Sequence, residues 1–393
     1  MTPSARIQAA IELLDQVIDA ARSGGAAADT LIARYFRDRR YAGSKDRRAV
    51  RELVYRALRR AGDPPVSGRA AVLGLVGDDP ALAELFDGSP HGPAPIDQAE
   101  AIAPATLLPS WVIPRLDPLI LPDEWQALLE RAPLDLRVNR LRGSREQALA
   151  KLPDAQATRQ SPLGVRLPEG FRVEESEAWR SGLIEVQDEG SQLLALACQA
   201  QPGETVLDLC AGAGGKTLAL AAEMQNQGRI VATDTDRGRL SRLRPRVERS
   251  GATIVEPRLL DPGREREALA DFAGTFDLVL VDAPCSGSGT WRRNPETRWR
   301  ITPQRLTQLV ALQARLLDLA SSLLSPGGRL VYGVCSLLAE EGRDQAEALS
   351  ARSSLEPQPV AMVAGRAAGT GRLLSPAVDG TDGFFVACWS RAC

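Results

Sequence analysis

Between residues 181 and 393, short apolar runs alternate with helical patterns, and this alternation restricts the possible folds more than any other feature of the chain. The runs are 205–209 (T-V-L-D-L), 229–233 (R-I-V-A-T), 253–256, 276–282 (F-D-L-V-L-V-D), 329–334 and 384–389, and helical patterns occupy 215–225, 236–249 and 303–324. A strand that is apolar at nearly every position must be covered on both faces, and intervening helices supply that cover. The expected fold is α/β, a doubly wound and mostly parallel sheet. Ligands then bind beyond the carboxyl ends of the strands.

The chain has 393 residues, more than one ordinary core accommodates. Residues 5–22 put Ile7, Ile11, Leu14, Val17, Ile18 and Ala21 on one helical face. Asp29 or Thr30 can cap a second helix and Ser44 a third. Residues 1–86 therefore read as an all-α domain, and the Pro-, Gly- and acid-rich stretch 87–106 reads as a linker. Residues 107–180 read as a small α+β subdomain, with helical patterns at L-P-S-W-V-I-P-R-L and D-E-W-Q-A-L-L-E and a strand at 134–142; 181–393 form the sheet domain. Charge is uneven: 13 Lys/Arg against 7 Asp/Glu in residues 1–60, then 1 against 7 in 61–100. The first stretch is either an RNA-facing surface or an ordinary solvated one. With a net charge of −2, a uniformly basic nucleic-acid binder is excluded. Six cysteines without a C-x-x-C pair argue against a zinc site or disulfide frame, so no metal and a reducing cytoplasmic setting are expected. No apolar run is long enough to span a membrane, and the first residues lack the apolar core of a secretory signal.

D-L-C-A-G-A-G-G-K-T (208–217) follows the first strand of the sheet domain. Such a loop lets a ligand approach the backbone at a helix N-terminus. Three ligands compete. A P-loop would use Gly215, Lys216 and Thr217, but Cys210 stands where its first glycine belongs. A dinucleotide fingerprint fails at Thr217. S-adenosylmethionine needs a similar loop and an acid after the second strand. Asp234 stands there, with Asp236 as a substitute or as a helix cap.

D-A-P-C (282–285) and V-C-S (334–336) each place a cysteine just past an apolar run. One such cysteine is most often a small buried hydrophobe. Two on the same sheet edge suit C5 methylation of a pyrimidine. A thiolate adding to C6 makes C5 nucleophilic, and a base then removes the C5 proton before the thiol leaves. An acid near N3, here Asp282, supports the charge that builds on the ring. Which cysteine attacks is open on these grounds.

D-A-P-C-S-G-S-G-T-W-R-R-N-P-E, V-Y-G-V-C-S and C-A-G-A-G-G-K-T, with V-Q-D-E-G-S-Q-L-L (186–194), R-V-N-R-L-R (137–142) and D-G-T-D-G-F-F-V-A (379–387), resemble the Sun/Fmu-type RNA cytosine-C5 methyltransferases, in particular the bacterial 16S ribosomal RNA branch. The resemblance covers about residues 107–393; residues 1–75 more faintly resemble a NusB-like RNA-binding domain. It implies a Rossmann-like methyltransferase sheet, S-adenosylmethionine as cofactor, and a monomer acting on an unpaired or flipped cytosine of ribosomal RNA. It assigns attack to Cys335 and release of the adduct to Cys285, with Asp282 and Lys216 beside them. Cys210, Ala211, Gly212, Ala213, Gly214, Gly215, Lys216, Asp234, Asp261 and Asp282 would line the cofactor site. By residue type, Arg137, Asn139 and Arg293, within a wider set containing Arg292, Arg298, Trp291 and Trp299, suit phosphates and an exposed base, and either tryptophan is equally suited to packing. The chain departs from the family pattern at Gly212-Ala213, Val334 and Glu341-Gly342.

Overall fold

In the computed structural model, which describes residues 1–393, the first helix, α1 (Pro3–Ser23), begins where Thr2 Oγ1 accepts the Ala5 N–H at 3.1 Å. It ends where Gly24 turns left-handed at φ +70°. α2 (Ala28–Asp38), α3 (Ser44–Arg60) and α4 (Gly68–Val76) follow. Two caps differ from expectation. α2 starts one residue before Asp29, and its Ala28 N–H is taken by Glu296 Oε1 at 3.2 Å. α3 is capped at Gly43, whose N–H donates to Asp46 Oδ2 at 3.3 Å. Ile7, Leu14, Val17, Val50, Val54, Leu58 and Val72 fill the core of these helices. α4 can lie against α1 only because residue 68 is glycine: a Cβ there would sit 2.1 Å from Ile11 O.

Residues 87–106 are not a free linker. Ala103 is buried in this core and donates its N–H to Ala70 O at 3.0 Å, while Thr106 N–H reaches Arg60 O at 2.9 Å. The helices expected in 107–130 are only short 3₁₀ turns, at Ile113–Arg115, Pro122–Glu124 and Gln126–Leu128. In the first of these segments Pro114 has no N–H to continue an α-helical ladder.

Thr290–Arg305 also belongs to this helical unit. Trp299, 5% exposed, joins the helical core and donates Nε1–H to Ala61 O at 2.9 Å. Arg298, 1% exposed, donates to the carbonyls of Leu58, Leu107 and Pro295. Trp291 and Arg292 are buried as well. Most of the aromatic and basic set expected to meet RNA is thus core. Arg293 alone among these stays partly exposed.

The second unit carries two sheets. Strands β1 (Leu134–Val138), β2 (Gln156–Ala157), β3 (Gly164–Leu167) and β4 (Ile184–Val186) form an antiparallel sheet in the order β2-β3-β1-β4. Arg137 and Asn139, at the end of β1, are also buried. Arg137 Nε donates to Gln187 Oε1 at 2.6 Å, and Asn139 Nδ2 donates to the carbonyls of Gly182 and Ser250 at 2.9 and 2.8 Å. Burial holds the Arg137 pKa down to about 10. Both residues are internal braces, which corrects their assignment to an RNA-facing surface.

The larger sheet contains β5 (Thr205–Asp208), β6 (Arg229–Asp234), β7 (Val255–Leu259), β8 (Phe276–Asp282), β9 (Leu324–Val334), β10 (Glu356–Gln358), β11 (Arg366–Ala368), β12 (Gly371–Leu374) and β13 (Phe384–Ser390). Its order is β11-β12-β13-β9-β8-β5-β6-β7, with β10 on β13. β7 to β9 run parallel, and β13 reverses against β9. The strand order switches at β5, which lies between β6 and β8, so a crevice opens at its carboxyl end. The helix expected at 236–249 is two, Arg237–Leu240 and Leu243–Ser250. Pro245 has no N–H to continue the ladder across Ser241. No helix is long and apolar enough to cross a membrane, and no group of His, Cys, Asp and Glu side chains is arranged to hold a metal ion.

Candidate active site

β5 ends at Asp208, and the glycine loop turns from it into the helix Gly215–Glu223. Gly214, at φ +84°, caps that helix, and a Cβ on it would meet Leu243 Cδ1 at 2.0 Å. Only glycine satisfies both demands. Ala211 N–H bonds Thr233 O at 2.8 Å, and Gly212 N–H bonds Asp234 Oδ2 at 2.8 Å, which ties the loop to the tip of β6. The other Asp234 oxygen takes Asp236 N–H at 2.7 Å. Asp236 caps the next helix, its Oδ1 accepting Arg239 N–H at 2.9 Å. Asp261 lies exposed just past β7, and the neighbouring Leu260 N–H bonds Asp234 O at 2.9 Å. Cys210 is partly exposed, with its thiol pKa pushed up by burial. Arg246, which sequence reasoning did not single out, holds the Ala213 carbonyl at 2.8 Å and Glu185 at 2.9 Å.

Lys216, the second residue of the helix, reaches Asp282 at the end of β8, Nζ to Oδ2 2.6 Å. Burial opposes its charge, but Asp282 and then Cys335 outweigh that, so the ammonium pKa is raised. Asp208 is a second missed residue. Its Oδ2 accepts Thr217 Oγ1–H at 2.7 Å, while its Oδ1 is buried without a hydrogen bond. Burial raises its pKa to about 7, opposed by the Thr217 bond and helped by Asp282. A carboxyl that keeps its proton longer in the fold stabilises it fully below the ordinary pKa and loses that contribution as pH rises to about 7. Asp208→Asn should therefore lose less Tm than the parent between pH ~4 and ~7. Equal slopes in matched thermal melts would mean that Asp208 is already ionised in the fold.

β8 and β9 are adjacent and parallel, with Asp282 opposite Gly333. The loops that leave them therefore emerge side by side. This brings Cys285 Sγ and Cys335 Sγ to 3.3 Å, both as free thiols and both partly exposed. Their hydrogen bond, and then burial, raise the Cys285 pKa well above the usual thiol range. The Lys216 ammonium also lies 5.5 Å from the Phe384 ring centre.

Residues 195–390 match the model of the 16S rRNA methyltransferase RsmB/F family, and residues 108–175 match the ferredoxin-like domain of RsmF/B-like methyltransferases. The chain belongs to the RsmB/F methyltransferase family. It is 36% identical over 291 residues to the ribosomal RNA small subunit methyltransferase B of Klebsiella pneumoniae, a match covering 72% of this chain and 65% of that protein. The Pasteurella multocida protein of the same name is 33% identical over 294 residues, covering 72% and 65%. The chain thus spans slightly less than two thirds of these curated relatives. A methyltransferase homologue from Pyrococcus horikoshii is 30% identical, with a TM-score of 0.60 over 68% of this chain and 89% of that one. The crystal structure of PH0851 is 25% identical, with a TM-score of 0.75 over 100% and 99%. The doubly wound sheet is the Rossmann-like fold of S-adenosylmethionine-dependent methyltransferases.

The residues present fit that cofactor. The glycine loop lies at the switch point, and the nearest group to a Cβ placed on Gly212 or Gly215 would be 4.0 Å away. The backbone there is open to a ligand, with Asp234 beside it.

Proposed function

We propose that this protein methylates C5 of a cytosine in 16S ribosomal RNA through a covalent adduct on Cys335. The 3.3 Å pairing of the Cys335 and Cys285 sulfurs beside Lys216 and Asp282 carries this reading. When bound, S-adenosylmethionine supplies an electrophilic methyl group. The loop 210–216 and Asp234 would hold it, and Asp261 and Asp282 would line the same site.

The Cys335 thiolate adds to C6, and the electron pair released into the ring makes C5 nucleophilic. Lys216, paired with Asp282 Oδ2 at 2.6 Å, brings positive charge to the ring edge where negative charge builds at N3, and Asp282 holds that ammonium in place. Once C5 carries the methyl group, the demethylated cofactor being the leaving group, a base takes the C5 proton, the C5–H electron pair re-forms the C5–C6 double bond, and the C6–S bond breaks to return the Cys335 thiolate. Cys285 sits beside that bond and assists release. Its raised pKa keeps it a thiol, able to donate its S–H towards Cys335, which suits a sulfur that must carry negative charge. The cytosine must be unpaired or flipped for its ring face to be reached. Arg293 is the residue of the expected RNA-facing set that remains partly exposed to meet the backbone.

The test is incubation of the protein with tritiated-methyl S-adenosylmethionine and unmodified 16S ribosomal RNA, followed by base analysis. One 5-methylcytosine at a single position is expected. Label on another base or on a ribose would overturn the reading.

A further inference from the structure

The residue after each cysteine is held by one carboxylate. Glu341, fully buried, accepts the Ser286 N–H on Oε1 at 2.8 Å and the Ser336 Oγ–H on Oε2 at 2.6 Å. Gln313, from the long helix Pro303–Leu323, bridges the same group. Its Nε2 donates to Glu341 Oε1 at 3.0 Å and to Pro284 O at 2.9 Å. The hydroxyls of Ser286 and Ser336 lie 3.2 Å apart, and Ser288 Oγ is 3.0 Å from Ser336 Oγ and accepts Leu337 N–H at 2.8 Å. Tyr332 OH fixes the Glu341 carbonyl at 2.6 Å, and Cys335 O accepts Gly289 N–H at 3.1 Å. Each bond joins or braces the two loops, and none involves a sulfur atom.

We propose that Glu341 is a positioning residue that sets the spacing of the two active-site sulfurs by clamping Cys285-Ser286 and Cys335-Ser336 to each other. The proposal rests on the reading that these thiols divide attack and release between them. A buried carboxylate with three neutral donors defines one geometry closely, because each donor would lose its bond if either loop shifted. Loosening the clamp separates the sulfurs without altering either of them.

The spacing can be read without RNA or cofactor. Diamide oxidises two adjacent thiols to a disulfide: the S–S bond forms, and two electrons and two protons pass to the diazene, which becomes a hydrazine. The full chain, Glu341→Ala and Glu341→Gln are treated with diamide, quenched with N-ethylmaleimide and digested, and the Cys285–Cys335 linked peptide is followed by mass spectrometry. The parent should close fastest and Glu341→Ala at least tenfold slower. Glu341→Gln, which keeps an amide oxygen as acceptor, should fall between. Methyl transfer should follow the same order through kcat, with KM for RNA changed less than about twofold. Equal closure and equal turnover in Glu341→Ala and the parent would overturn the clamp. If Glu341→Ala loses its cooperative melt, the Ser286→Ala/Ser336→Ala double variant decides by the same closure rate. If the parent methylates no RNA, the functional reading fails while the closure rates still judge the clamp.

Discussion

Cys335→Ala is expected to lower methyl transfer to 16S ribosomal RNA by at least about 10⁴-fold, the scale on which covalent enzymes suffer when the attacking group is removed. In the proposed mechanism C5 gains nucleophilic character only through a sulfur at C6, and Cys335 is the thiol assigned that attack. Cofactor binding should stay within about twofold of the parent. The glycine loop is organised by Asp234, Thr233 and Arg246, none of which depends on residue 335. Tritium incorporation reports the first quantity and calorimetry with S-adenosylmethionine the second. Activity above about 1% of the parent would remove Cys335 from the nucleophile role.

Cys285→Ala should act at the other end of the cycle. In the proposed mechanism attack and methyl transfer do not require it but restoration of Cys335 does, and its sulfur lies 3.3 Å from that of Cys335. The expected product is a protein–RNA species that survives denaturation, with turnover stopping after about one methylated RNA per protein. That species should vanish in the Cys335→Ala/Cys285→Ala double variant. Sustained turnover with no trapped species would show that release proceeds without Cys285.

The two thiols illustrate how far local pattern carries. Strand ends at 282 and 334 are readable because the preceding runs are apolar and β-branched, and parallel sheets place sites beyond such ends. The glycine loop and Asp234 were readable for the same reason. The proposed division of labour between the cysteines comes only through resemblance. Glu341 stood in view as the acid of an acid-asparagine pair whose second member is Gly342 here, yet nothing in its surroundings along the chain marked it as the group both cysteine loops share. Asp208 was hidden likewise, since an acid closing a strand usually faces solvent or a ligand, whereas this one turns to Thr217.

Misreadings have one cause. R-V-N-R-L-R and T-W-R-R-N-P-E-T-R-W look like surfaces for RNA because arginine, asparagine and tryptophan are the residues such surfaces use. The same guanidinium fork and amide also satisfy buried backbone carbonyls, and composition does not separate the two uses. Asn139, and Arg298 apart from its bond to Pro295, spend their donors on carbonyls distant in sequence, and those acceptors become visible only when the chain is folded.

Periodicity and strand-end chemistry, which are local, therefore specify the doubly wound sheet, the edge that carries the candidate site and the side chains placed there. The 3.3 Å meeting of two sulfurs, the carboxylate that brackets them and the burial of the supposed RNA arginines come from contacts between segments tens to hundreds of residues apart. Such contacts depend on strand order and register, β8 beside β9 with Asp282 facing Gly333, and neither can be read from the segments taken singly.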